Sequence, residues 1–232
     1  MEDRQADAVR EQVMQVLGDY FRHEKEKKRL NYRQQNRYIL PGQTLFTGSS
    51  LMEQFPVTEF CLSAGLPPAY NRGIGGTTTD EFLEAIDDVL LDVRPGRLFI
   101  NIGTNDIRPM PRGEDWLEHL RTNYRRICCI IRDRLPGIPV YMMAYYPVNT
   151  EIPAAALNPG LKVRTNEAVA RANRMVEELA EEFGFRYIDV NDSLKDEHGR
   201  LRAEHTADGM HFDAAAYRTV FERLRPYLEE TV

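Results

Sequence analysis

Serine is scarce in this sequence: there are four, and two of them stand side by side in the stretch TGSSLMEQ, residues 47–54. Cysteine is scarcer, and Cys61, Cys128 and Cys129 form an odd set that excludes a fully paired disulfide framework. Reduced thiols in or near the core are expected. No uncharged apolar run approaches the roughly 18 residues of a membrane span. The opening MEDRQADAVREQ lacks the apolar stretch of a signal peptide, so the expected setting is cytoplasmic. Positive charge is not in excess either, with 30 Lys and Arg against 36 Asp and Glu, a net charge of −6. That balance argues against a nucleic-acid surface spread over the molecule and favours a small partner molecule.

What remains is an ordinary globular composition, 42% hydrophobic and 28% charged over 232 residues, enough to bury one α/β core. The opening stretch ADAVREQVMQVLGDYF repeats its apolar residues at helical spacing, with Ala6, Val9, Val13, Val16 or Leu17, and Tyr20 on one face. It continues into RHEKEKKRLNYRQQNR, whose lysines and arginines suit a solvated helix or an arm wrapped over the domain. The expected organisation is a helical extension over 1–40 and a single domain over 41–232.

From residue 43 onward short apolar runs alternate with helical patterns. TLFTG, AYNRGI, RLFINIG, PVYMMAYY and FRYIDV read as strands, with helices at about 50–63, 79–93, 114–135, 160–183 and 213–228. Such alternation implies βαβ crossovers and a parallel sheet covered on both faces. Ligands of open α/β sheets bind beyond the carboxyl ends of the strands. The segments at those ends are TGSS, NRGIGGTTT, GTND and YYPVNTEIP, with ADGMH before the last helix; polar and glycine residues gather at one edge.

Acyl transfer from an ester requires a nucleophile, a base, a group that orients the base, and donors for the developing oxyanion. Ser50 can supply the first, His211 the second and Asp208 the third, in the roles of a Ser-His-Asp triad. The backbone N–H groups of Ser50 and Gly76 and the side-chain amide of Asn105 are the candidate oxyanion donors. Ile107 and Met110 in IRPMPRGEDW, with Ile152 and Leu157 in VNTEIPAAALNPG, are candidate substrate contacts. Other readings of the same residues stand beside these. Ser50 and Glu53 have the spacing of a capping box, the serine block could open an anion-binding helix as in a flavodoxin, and Glu204, His205, Asp208 and His211 could ligate a metal. A non-catalytic member of the fold is a further alternative.

Taken together, the four blocks resemble those of the SGNH hydrolases, the GDSL esterase/lipase superfamily. TGSSL is similar to the nucleophile block, with Ser49 in place of the aspartate; NRGIGGTTT is similar to the glycine block, with Thr77 where relatives often carry aspartate; NIGTND and DGMH are similar to the last two. The resemblance implies a flavodoxin-like three-layer α/β/α sandwich with a central five-stranded parallel sheet. It also implies a carboxylic ester hydrolase working through an acyl-enzyme with Ser50, Asp208 and His211, without metal or other cofactor. Its substrate class spans acetylated sugars, lysophospholipids, thioesters and simple esters. The N-terminal helix lies outside the blocks and is a candidate for homo-oligomer contacts.

Overall fold

The structure, a computed structural model, describes residues 2–230, with side chains at all of these except 2–6, 8 and 112. Five apolar segments pair into one parallel sheet: β1 (Thr44–Gly48), β2 (Tyr70–Asn71), β3 (Arg97–Asn101), β4 (Val140–Met143) and β5 (Arg186–Ile188). Their order is β2-β1-β3-β4-β5, the flavodoxin-like arrangement. The two-residue side-chain period sorts the central strands into two faces. Leu45, Leu98 and Val140 lie in register on one face. Phe46, Phe99 and Tyr141 lie in register on the other, with ring centroids 4.5 and 4.6 Å apart and the rings stacked nearly parallel. Parallel in-register pairing imposes that stack, and the rings fill the core beneath the last helix.

Only two residues of the expected AYNRGI strand pair regularly. The backbone bonds Arg72 N–H to Phe46 O and Ile74 N–H to Gly48 O carry the contact onward. At Gly73 the chain runs so close to the Glu53 backbone that a Cβ there would clash.

The helices are α1 (Glu2–Gln35), α2 (Ser50–Glu53), α3 (Val57–Ser63), α4 (Thr79–Glu84), α5 (Ile86–Val89), α6 (Trp116–Arg134), α7 (Asn166–Phe183) and α8 (Ala214–Glu229). The expected helix over 50–63 is split, because Pro56 offers no N–H and disfavours helical geometry in the residue before it. The expected start of α7 at 160 moves to 166. The prolines of the preceding segment hold two 3₁₀ turns, Pro153–Leu157 and Pro159–Lys162, before Thr165 caps the helix. One face of the sheet carries α4 to α7, and the other carries α2, α3 and α8 over the aromatic stack.

The basic half of α1 is the docked half. Arg29 and Arg33 converge on the buried carboxylate of Asp88 at 2.6 and 2.7 Å, Lys25 meets Glu81 at 2.7 Å, Lys28 meets Glu53, and Tyr32 donates to Gly73 O at 2.8 Å. The apolar stripe ahead of it faces away from the domain: Val9, Val13, Val16, Leu17 and Tyr20 are all exposed, Val16 at 61%. The side chain of Ala6, expected on the same stripe, lies outside the described residues. Among the described residues no helix is long and apolar enough to cross a membrane. Cys61 and Cys128 are buried and Cys129 partly so, and burial pushes the Cys128 thiol up to about 12.

Candidate active site

The strand order switches direction at β1: the chain passes from β1 to β2 on one side and then crosses to β3 on the other. The cleft between the carboxyl ends of β1 and β3 is therefore where a ligand site is expected. Ser50 follows β1 as the first residue of α2, and Asn105 follows β3 in the 3₁₀ turn Thr104–Asp106. Gly76 lies in the turn after β2, and Asp208 and His211 lie in the turn before α8.

These residues meet. His211 Nε2 is 2.9 Å from Ser50 Oγ, and His211 Nδ1 is 2.7 Å from Asp208 Oδ2. The tautomer that satisfies both contacts carries its proton on Nδ1, donates it to the carboxylate and leaves the Nε2 lone pair facing the serine hydroxyl. The other carboxylate oxygen, Asp208 Oδ1, accepts the backbone N–H groups of Met210 at 2.9 Å and His211 at 2.8 Å. Partial burial would raise the Asp208 pKa, but the bonds from the His211 ring and these two N–H groups outweigh it and hold the carboxyl below its usual range. Gly209 tightens the turn with φ +86°, and a side chain there would clash with the Asn149 carbonyl.

A four-residue helix has no intrinsic stability, so α2 is held from outside. Asn71 Nδ2 donates to the carbonyls of Met52 at 2.6 Å and Phe55 at 3.0 Å, and the Tyr217 hydroxyl donates to Leu51 O at 3.0 Å. Glu53 accepts from the Gly75 N–H and pairs with Lys28, so it does not close a capping box with Ser50. Ser49, not Ser50, occupies the N-cap position; it is buried and its hydroxyl makes no cap bond. With the competing cap absent, the Ser50 hydroxyl is free to bond the imidazole.

Three donors face the same space. Among the described residues the N–H groups of Ser50 and Gly76 have no protein acceptor. Gly76 adopts φ +69°, and its carbonyl is tied back by Lys25 Nζ at 2.8 Å. Asn105 Nδ2 gives one hydrogen to Thr77 O at 3.0 Å and keeps the second. The turn under Asn105 is fixed by Asp106, fully buried, which accepts from Thr79 N–H at 3.0 Å and Thr79 Oγ1 at 2.5 Å.

Ser50, Gly76, Asn105 and His211 open onto a cavity of about 730 Å³. Its wall also includes Phe21, Lys25 and Lys28 from α1, and Asn158, Arg164 and Met210. None of the four expected substrate contacts lines it. Ile107 is 1% exposed and packs into the core under α6. Met110 is half-buried outside the cavity wall, and Ile152 packs on Val148, Ala155, Leu161 and Met210. Leu157 is 85% exposed on the outer side of its turn. Ile107 and Ile152 serve the domain's own packing, and the cavity wall sets polar and charged groups among the apolar surfaces of Phe21, Ile74, Pro159 and Met210. The α1 contribution has no local signature in the sequence, because its lysines gain an address only through Glu53 and Glu81. The metal reading of Glu204, His205, Asp208 and His211 is not favoured by position. Among the described residues, the only set of three or more Asp, Glu, His or Cys side chains with ligand atoms all within 4.8 Å of one another is Asp80, Asp106 and His119. Those atoms are engaged by Thr79, by Asn123 and by the His119–Asp80 bond at 2.8 Å.

This geometry agrees with what the chain is similar to. Over 154 residues it is 31% identical to the N-acylneuraminate cytidylyltransferase of Escherichia coli O18:K1:H7 (strain RS218 / NMEC), a stretch that is 66% of this chain but spans only a third of that relative. A Streptococcus pneumonia protein provisionally described as a platelet activating factor superposes with a TM-score of 0.83 at 29% identity, over 94% of this chain and 98% of that one. A GDSL-like lipase of Bacteroides thetaiotaomicron VPI-5482 shares the fold, with a TM-score of 0.70 at 19% identity over 87% and 97% of the two chains. Residues 48–219, which hold Ser50, Gly76, Asn105, Asp208 and His211, match the GDSL-like Lipase/Acylhydrolase family, and the chain belongs to that family.

Proposed function

We propose that the protein is a serine esterase that removes a short acyl group from a polar, carbohydrate-like alcohol. The observation that carries this reading is the unbroken chain from Ser50 Oγ through the His211 ring to Asp208 Oδ2, at 2.9 and 2.7 Å. Ser50 Oγ attacks the ester carbonyl carbon while His211 Nε2 takes the hydroxyl proton. The imidazolium that forms is stabilised by Asp208, and the carbonyl oxygen, now anionic, is held by the N–H groups of Ser50 and Gly76 and the amide of Asn105. Collapse breaks the bond to the alcohol oxygen, and His211 returns the proton to it. Water then repeats the sequence on the acyl-enzyme, releasing the carboxylic acid and restoring Ser50.

Asn105, Asn158 and Arg164 offer polar contacts to a hydroxylated alcohol beside the apolar surfaces of Phe21, Ile74, Pro159 and Met210. The relative named for N-acylneuraminate, a sugar derivative, fits the same direction. We also read the exposed stripe of α1 as a contact with a second copy of the chain, because Val9, Val13, Val16 and Tyr20 repeat at the heptad spacing of a coiled coil.

The test is covalent capture. An organophosphonate ester that mimics the tetrahedral intermediate should add once, at Ser50, and block release of nitrophenol from 4-nitrophenyl acetate. Labelling of Ser49 alone, or full acetate hydrolysis by the labelled protein, would overturn the assignment.

A further inference from the structure

The charged groups in the cavity wall are paired with one exception. Lys25 is held by Glu81, Lys28 by Glu53, and Glu24 by Lys27 at 3.4 Å. Arg164 has no carboxylate partner among the described residues. Its Nε is buried and bonded to nothing, and its Nη1 has only the Met210 thioether sulfur at 3.7 Å. Nη2 has no protein acceptor among the described residues. A guanidinium does not shed its proton at ordinary pH, so this site is a permanent, partly desolvated positive charge.

The neighbours do not neutralise it. Asp106 contributes a favourable negative charge, but its oxygens are committed to Thr79, and Arg108 adds a second positive charge. Desolvation pulls the Arg164 pKa downward, the direction expected of a cation lacking a counter-ion. The guanidinium lies against the Gly160 backbone, where a Cβ would come 2.6 Å from Arg164 Nη1. The turn closed by Arg164 N–H on Gly160 O at 3.0 Å folds the residue back toward the cavity that holds Ser50 and His211.

Resting on the esterase reading above, we propose that Arg164 is an anion subsite of the cavity, taking a carboxylate or phosphate borne by the alcohol half of the ester. The planar guanidinium fork suits either anion bidentately. Arg164 is then a specificity-determining residue: it selects acidic acyl esters over neutral ones of the same shape.

The experiment compares acetate release from O-acetylated glucuronic acid, from its uncharged carboxamide and from O-acetylated glucose 6-phosphate. In the unmodified protein one or both acids should exceed the carboxamide in kcat/KM by about 10- to 100-fold, the range of a charge-assisted bidentate contact. The stronger of the two acids identifies the anion. In Arg164→Gln the acid-to-carboxamide ratio should fall to near one, mostly through KM, and Arg164→Lys should keep part of it. A ratio near one in the unmodified protein, or one unchanged in Arg164→Gln, overturns the subsite while leaving the esterase reading intact. Calorimetry of glucuronic acid and glucuronamide with Ser50→Ala separates the remaining case. If no ester is cleaved but the acid alone binds and needs Arg164, the anion site stands and the esterase reading falls. If acid and amide bind alike, the subsite falls.

Discussion

His211 Nε2 rests 2.9 Å from Ser50 Oγ although 161 residues separate them in the chain. In the proposed mechanism the two side chains form one proton-transfer unit, so removing either should disable the same step. Ser50→Ala and His211→Ala should each lower kcat for 4-nitrophenyl acetate by about 10⁴- to 10⁶-fold, and the double variant should be no worse than the weaker single one. Losses that multiplied in the double variant would mean that the two act separately.

The carboxylate behind the ring gives a test of orientation. Asp208 is held below the usual carboxylate range, so it stays ionised and keeps its bond to the His211 ring. Asp208→Asn should cost about 10³- to 10⁴-fold in kcat, since the tautomer is no longer fixed. A loss of less than about tenfold would show that Asp208 does not orient the ring.

How much of this was legible in the sequence depends on whether the signal is local. Ser50, Gly76, Asn105 and the Asp208–His211 pair stand in short blocks at strand ends or before a helix, where a parallel sheet alone brings them to one edge. The break at Pro56 was equally visible in QFPVTEF but was masked by the apolar periodicity on both sides of it. The docking of α1 was not legible, since Arg29 and Arg33 find Asp88 across 59 and 55 residues, and nothing near either arginine announces that partner. Nor was Arg164, whose interest lies in the partners it lacks. Ile107 misled because an apolar residue beside an active-site asparagine has two places to go, and here it enters the core.

The clamp on α1 gives a stability prediction. Asp88 is 2% exposed and receives Arg29 and Arg33 of α1, while Asn36 donates to its carbonyl at 2.8 Å. Burial opposes its charge, but the bonds from Arg33 and Arg29 outweigh that and lower its pKa. A depressed carboxyl contributes stability that is present above the unfolded value of about 3.9 and is lost as pH falls through the folded value. Asp88→Asn should lower the melting temperature at pH 7 by about 5 °C. The gap to the unmodified protein should narrow when both are melted below pH 4, and a gap independent of pH would point to packing instead of charge.

The other half of α1 tests self-association. Val9, Val13, Val16 and Tyr20 follow one another at intervals of four, three and four, which turns them to a single seam, and all four are at least half exposed. An unpartnered seam of this kind is costly to hydrate and self-complementary in a pair of helices, so the full chain should scatter light as a species of twice 26.8 kDa. Glutamate at both Val13 and Val16 places like charges opposite one another across that seam and should return the mass to 26.8 kDa at micromolar concentration. Because Phe21, Lys25 and Lys28 of the same helix line the cavity, the monomeric variant should also show a changed KM with kcat little altered. An unmodified chain that is monomeric at tens of micromolar would remove the dimer and leave the stripe to a different partner.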